Sequence, residues 1–341
     1  MQKKIYLIIA VVFISCATYL GKSDKLIDYV DPFIGSGGHG HVFVGANVPF
    51  GGVQVGPTNF NKGWDWSSSY HHTDSIVKGF CHINVSGTGM SDLGELTIMP
   101  ATGKLMTGAG TQNNHMAGYS SLYYKDKEHA SVGYYKVHLE RYDIDVELTA
   151  TERVGLHKYR FPKSDQSRII IDLGEGSADR PTETYLKKIN DTLFQGHRFS
   201  SGWARDQREY FSLIISKPVD DFILYDRHKK FKGEERKGDY VKGFLEFSTK
   251  SNENIMVKMG ISTVSSKNAL ENMMIELPHW DFSKVKKDAE KKWEKELSKI
   301  KIKTDDIKKK RVFYTAMYHT MIAPNLYHDL NGEYRGTDKI V

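Results

Sequence analysis

VGYYKVHLERYDIDVELTATERVGLHKYRF, Val132 to Phe161, is the stretch on which the fold turns. Val146, Leu148 and Ala150 recur every second residue, and after a short polar break the pattern resumes with Val154, Leu156 and Lys158. A period of two marks strands with one buried face. Similar runs follow: RIIIDL (Arg168 to Leu173), YFSLIISK (Tyr210 to Lys217), DFILYD (Asp221 to Asp226) and IMVKMGIST (Ile255 to Thr263). From Leu26 to about Ser265 glycines punctuate such runs and helical periodicity is nearly absent, which predicts a mainly β chain folded as a β-sandwich. No repeat of fixed period is visible.

Beyond Asp281 and Ser283, both suited to cap a helix, the period changes. Val285, Ala289, Trp293 and Leu297 recur every four residues and Ile300 follows, predicting a helix over Lys284 to Ile300 with one apolar stripe. Lys286 with Glu290 and Asp288 with Lys292 have the i,i+4 spacing of ion pairs. A second helix is predicted from Asp306 to about Ile322, with Val312, Ala316 and His319 on one face and Phe313 and Met317 beside them.

The 341 residues suffice for two domains, and 39% hydrophobic with 26% charged content describes a globular chain. The net charge of +6 is concentrated: Lys284 to Arg311 alone holds twelve lysines and one arginine against six acids. That run is a solvated helix face, and nucleic acid is not an expected partner. Cys16 and Cys81 are the two cysteines, too few for a disulfide framework or a cysteine zinc site.

Chemistry concentrates in GWDWSSSYHHTDS, Gly63 to Ser75, with two tryptophans, a tyrosine, two histidines and two aspartates. Flat apolar rings beside hydroxyl-binding polar groups suit a pyranose. His39, His41, His71, His72 and His82 lie nearby, without the cysteines or HExxH helix of a zinc site, so backbone hydrogen bonding or a place in a cleft is the expectation. SGTG, Ser86 to Gly89, with Asp92 and Glu95 beyond it, lacks EF-hand spacing and reads as a turn supporting the tryptophan loop.

These blocks together resemble glycoside hydrolase family 92, the calcium-dependent exo-α-mannosidases. The likeness runs through YVDPFIGSGGHGHVFVGANVPFGGVQVGP (Tyr29 to Pro57), the GWDW segment and GFCHINVSGTGMSDLGELTIMP (Gly79 to Pro100). It continues through GWARDQREYFSLIISKP (Gly202 to Pro218), LPHWDFSKVKKDAEKKWEKELSKI (Leu277 to Ile300) and FYTAMYHTMIAPNLYHDLNGEYRGTDKIV (Phe313 to Val341). The resemblance implies a supersandwich-like β-sandwich over 25–268, a linker helix over 280–303, and the start of an (α/α)6 catalytic barrel over 305–341. On that reading the chain is the N-terminal portion of a longer enzyme, the barrel domain being its missing partner.

The family hydrolyses terminal α-mannosides with inversion. That chemistry needs an acid and a base roughly 6.5–9.5 Å apart. The resemblance places both, and most calcium ligands, in barrel segments that these residues do not match, so no catalytic residue or metal ligand is assigned. It does imply that Trp66, then Trp64, with Asp65, meet the leaving-group sugar of a mannose-containing glycan. It also implies that Asp338 of YRGTD accepts hydroxyl hydrogens, oriented by Arg335. A non-catalytic carbohydrate-binding β-sandwich is the alternative.

The leader has Lys3 and Lys4, an apolar run from Ile5 to Ile14, then Ser15 and Cys16. It reads as a signal peptide over 1–20 of lipoprotein type, with Cys16 acylated and the protein exported to the periplasm or cell surface. A plain cleaved signal is the alternative.

Overall fold

The computed structural model describes residues 25–90, 92–177 and 179–341. The leader and Cys16 lie outside the described residues. Two large sheets dominate. A seven-stranded sheet runs in the order 56–58, 79–81, 97–102, 164–172, 241–249, 221–226 and 229–231. A nine-stranded sheet runs 235–238, 180–188, 193–201, 207–215, 253–262, 154–161, 144–150, 134–139 and 129–131. The central pairs are antiparallel, for example Ile170 opposite Phe244 and Met99, or Val257 opposite His157.

One core joins the two sheets, as in a sandwich. Ile169, Ile171, Phe244 and Phe247 from the first sheet share it with Val146, Leu148, Tyr159, Leu213 and Met259 from the second. Phe161 meets Phe247 edge-on at 5.6 Å, and Phe194 lies 5.3 Å from Phe222. The expected alternation holds along Ile144–Ala150, where Ile144, Val146 and Leu148 are buried and Asp145 and Glu147 are less so. It breaks along Val154–Phe161, where Gly155 and His157 are buried as well. The physical reason is His82, which packs on that second face. A Cβ at Gly155 would come within 2.8 Å of its ring, so only glycine fits.

Three helices follow. Helix α1, Ser266–Glu276, is one the sequence reading did not mark. It lies against strand 253–262, burying Ala269 and Met273, and a Cβ at Gly260 would strike the Ala269 carbonyl at 2.3 Å. Helix α2, Phe282–Leu297, is capped by Asp281, whose carboxylate accepts from Lys284 N at 2.9 Å. Its stripe Val285, Ala289, Trp293 and Leu297 is buried as expected, but Ile300 lies past the helix end and is 53% exposed. Asp288 pairs with Lys284 at 2.7 Å and Lys291 at 3.0 Å, while Lys292 reaches across to Glu152 on the sandwich.

Helix α3, Ile307–Thr320, buries Tyr314, Thr315 and Tyr318, while Val312 and Ala316, which share its other face, are exposed. Tyrosine hydroxyls explain the choice: Tyr314 reaches Ile300 O and Tyr318 reaches Asn47 Oδ1, both at 3.3 Å, so large rings are buried with their polar ends satisfied. Val312 is turned outward.

Trp293 is fully buried and donates from its indole nitrogen to Asn47 O at 2.9 Å, pinning α2 to the sandwich. Trp293→Ala should cost about 3–5 kcal/mol, read as a lower urea midpoint at unchanged slope. A loss under 1 kcal/mol would mean that α2 is not held by this ring.

Candidate functional site

Three loops converge on Trp64. The segment Trp64–Trp66 is a single 3-10 turn, entered through Gly63 at φ 116. The glycine-rich loop places His41 edge-on to the Trp64 ring at 4.2 Å, and His39 Nδ1 meets Asp65 Oδ1 at 2.9 Å. The SGTG loop supports the indole from below: a Cβ at Gly89 would come within 2.7 Å of it. Gly87 N donates to His41 O at 2.7 Å and Phe43 N to Ser86 Oγ at 3.1 Å, which locks the two loops together. Despite these supports Trp64 is 58% exposed.

Trp66 is held differently. Its indole nitrogen donates to Asp74 Oδ2 at 3.0 Å, His71 stacks on it at 4.3 Å, and Lys62 Nζ sits 5.1 Å from the ring centre. It is half-buried, and its ring is engaged with protein groups.

The other side of the SGTG loop lines a cavity of about 670 Å³. Asn84, Thr88, Met90 and Asp92 form one wall, and Trp203 to Glu209 a second. Gln54 forms the floor, and Asn325 to Asp329, the segment after α3, closes the third side. Gly52 lets that segment approach, since a Cβ there would meet Leu326 O at 3.0 Å. Asp329 accepts from Ser262 at 2.6 Å, Asn268 at 2.8 Å and Asn272 at 2.7 Å, tying the segment to the sheet and to α1. Arg153 adds its bond to His328 O at 2.8 Å and an ion pair with Glu276 at 2.7 Å.

The YRGTD segment reaches the cavity mouth, but not in the expected pairing. Arg335 turns to Asp206 at 3.4 Å, joined there by Lys339 at 3.1 Å and Arg208 at 3.0 Å. Asp338 is exposed and accepts from Ile340 N at 3.1 Å. The physical reason is that Asp206 sits where three cations converge. The GWARDQ segment entered the sequence reading only as part of a resemblance, so Trp203, 74% exposed at the rim, was missed, as were Gln54, Gln207 and Glu209. No local pattern marks them, because three separated segments bring them together.

Behind this wall lies a buried ion cluster. Arg198 Nη1 lies 2.9 Å from Glu95 and 2.5 Å from Asp179, with all three side chains sealed from solvent. One guanidinium balances one carboxylate. Burial, only partly countered by Arg198 and reinforced by Asp179, raises Glu95 to about 8, while Arg198 and its hydrogen bonds hold Asp179 below its usual range. Glu209, lining the cavity, is held well above the usual carboxylate range by burial first, then by Glu95 and Asp329.

His71 and His82 make their hydrogen bonds within the fold. His71 contacts Gly38 O at 3.0 Å and Thr73 at 2.8 Å. His82 donates from Nδ1 to Leu96 O at 2.7 Å and its Nε2 faces His157 Nε2 at 2.9 Å, with Tyr159 on the far side of His157 at 2.7 Å. The carbonyl fixes the proton on His82 Nδ1, so His157 donates to His82 and Tyr159 donates to His157. Burial lowers His82 to about 4.

Among the described residues no group of three or more His, Cys, Asp or Glu is placed to hold a metal ion.

Sequence comparison gives the family. The glycosyl hydrolase family 92 N-terminal domain matches residues 29–262, and the family's catalytic domain matches 268–341. The chain belongs to glycosyl hydrolase family 92. A family 92 α-mannosidase from Bacteroides thetaiotaomicron, solved in complex with mannoimidazole, is 35% identical with a TM-score of 0.90, over 93% of this chain and 42% of that one. An inverting family 92 mannosidase from the same organism shares the fold at 21% identity and a TM-score of 0.79, over 93% and 42%. An uncharacterized secreted glycosidase of Arthroderma benhamiae is 25% identical over 89% of this chain and 42% of its own length. The chain thus spans about two fifths of the length of these relatives.

A carboxyl whose folded value is raised stabilises fully below its unfolded value, near 4.5, and loses that stability as pH rises through about 8. Glu95→Gln, which keeps the neutral shape, should therefore gain in Tm relative to the parent as pH goes from 5 to 9. A Tm difference independent of pH would show that Glu95 is ionised throughout.

Proposed function

We propose that this chain contributes the sandwich wall of an exo-α-mannosidase site, one that hydrolyses terminal α-mannosides with inversion, and that its part is to hold a mannose-containing glycan. The observation that carries this reading is Trp64, an exposed indole braced by His41 and Gly89 on the loop whose other side lines the cavity. A pyranose face meets such a ring, while its hydroxyls turn toward neighbouring polar groups. The mannoimidazole complex of the 35% identical relative supports mannose as the sugar. Trp66, whose ring is already engaged by His71 and Lys62, supports the loop and leaves Trp64 as the stacking surface. Asp65 keeps His39 in place, and Arg335 pairs with Asp206 of the cavity lining.

Trp64→Ala should weaken binding of methyl α-mannoside by about 1–3 kcal/mol with little change in Tm, whereas Trp66→Ala should lower Tm first. Chemical-shift titration with thermal melts decides between them. The opposite pattern would return the stacking role to Trp66. Incubation of this chain with an aryl α-mannoside should give no turnover, since none of its residues is assigned as acid or base; inverting hydrolysis would overturn that division of labour.

Export rests on Lys3, Lys4 and the apolar run, and on a relative called secreted. Lipid attachment at Cys16 predicts that Cys16→Ser abolishes incorporation of a labelled fatty acid and releases the protein from membranes. Unchanged label and partition would leave a plain cleaved signal.

A further inference from the structure

The positive charge of this chain is gathered on one part of its surface. Residues 284–311 carry an excess of seven basic side chains, while the whole chain carries +6, so the remainder sums to −1. Within that run Lys284, Lys287, Lys291 and Lys295 recur at three- and four-residue spacing along α2, which puts them on one face of the helix. The face lies opposite Val285, Ala289, Trp293 and Leu297, the stripe buried on the sandwich. All four lysines are exposed, over about 16 Å of helix. Asp288 borders the face and takes Lys284 and Lys291, whereas Lys287 and Lys295 have no ion pair among the described residues. Lys301, Lys303 and Lys308, also exposed, carry the charge past the end of α2.

The chain enters the fold beside this face. Leu26 N and Ile27 N donate to Glu294 of α2 at 3.1 Å, and Asp31 N donates to Thr315 Oγ1 of α3 at 3.0 Å. Lys310 of α3 sits 3.9 Å from the centre of the Tyr29 ring. The segment from Leu26 to Asp31 is thus held by the two lysine-rich helices, and the leader departs from there. Its apolar run ends at Ile14, and Cys16 stands ten residues before Leu26, a reach of at most about 36 Å.

Two features narrow the kind of partner. Lysine is depleted in interfaces that proteins bury, and this face offers no apolar side chain, so it is not built to be covered by a further domain. The apolar stripe of α2 is already spent on the sandwich, so the helix does not sink into acyl chains as a free amphipathic helix does. What remains is an electrostatic surface, drawn to dense negative charge and felt within about 8 Å at physiological salt. Bilayers and nucleic acids both present such charge. The departure point of the leader favours the bilayer, because a charged start and an apolar run direct that segment to a membrane.

We propose that the outward face of α2, formed by Lys284, Lys287, Lys291 and Lys295, docks on the headgroups of an anionic lipid bilayer, on the side of the molecule from which the leader departs. This surface is separate from the glycan site and needs no acyl group at Cys16.

The test is co-sedimentation with vesicles. The full chain, carrying Cys16→Ser so that no acyl group attaches, is mixed with vesicles of phosphatidylcholine alone or with about 30% phosphatidylglycerol. The same is done for a variant with Lys284, Lys287, Lys291 and Lys295 all changed to Gln. A control variant carries Gln at Lys163, Lys230, Lys232 and Lys250, four exposed lysines outside the basic run. Melting curves confirm the fold of each. The parent and the control should bind the anionic vesicles about tenfold more tightly than the neutral ones at about 50 mM salt, and lose that preference near 500 mM. The α2 variant should lose it at both. If the fourfold variant does not fold, Lys287→Gln with Lys295→Gln, which breaks no ion pair, should still lower the preference about threefold. Equal loss in the α2 and control variants would mean that net charge alone is read, and would overturn the docking face. So would a parent that binds both vesicles alike. Tighter binding of a DNA duplex than of the anionic vesicles, with the same dependence on the α2 lysines, would overturn the bilayer as the partner.

Discussion

Arg198 is the side chain on which the site's geometry depends. It projects from strand 193–201 of the nine-stranded sheet and grips Glu95, on the approach to strand 97–102 of the seven-stranded sheet. Ser200 on the same strand donates to Glu95 at 2.8 Å. The sheets are thereby joined through polar contacts to Glu95 at the end where the loops form the cavity. A buried ion pair with one partner removed costs about 3–5 kcal/mol, because the remaining charge is stranded. Here the excess carboxylate is met by a retained proton on Glu95 instead of a second cation. Loop 83–93, which ends at this contact, carries Gly89 against Trp64 and Asp92 into the cavity lining. Fixing its base fixes both.

The helices close the arrangement from the opposite side by satisfying polar groups that burial would otherwise leave exposed to penalty. Glu294 of α2 accepts from Leu26 N and Ile27 N, each at 3.1 Å, capping the start of the 3-10 turn Leu26–Tyr29. Trp293 and Tyr318 both bond Asn47, so α2 and α3 dock on one residue of the sandwich. The lysines of α2 remain outside, consistent with a solvated face that complements local acids such as Asp288 and Glu152.

Charge around the cavity is uneven. Its mouth gathers Arg208, Arg335 and Lys339 on Asp206, while Asp92, Glu209 and Asp329 in its lining have no ion pair among the described residues. Asp329 is stabilised by three neutral donors, a cheaper arrangement in a sealed place than a desolvated cation. The buried His82–His157–Tyr159 chain follows the same rule: each group is neutral and each proton has an acceptor.

The sequence by itself determined the β-sandwich, the α2 stripe and its cap, and the family, because these depend on local periodicity, capping chemistry and long contiguous motifs. Val146 and Leu148 betray their buried face through neighbours two residues away, and Trp293 through a period of four. Only the tertiary structure decided which tryptophan is free, since Trp64 and Trp66 are two residues apart and chemically identical. His71, Asp74 and Lys62 claim one, while Gly89 and His41 brace the other and leave it exposed. The same holds for Gln54, Asp92 and Gln207, which lie on three segments and carry no motif. Gln54 bonds Ile322 and Gln207 bonds Asp92, partners far along the chain, and such pairings are set by the packing of two sheets and not by any neighbour in sequence.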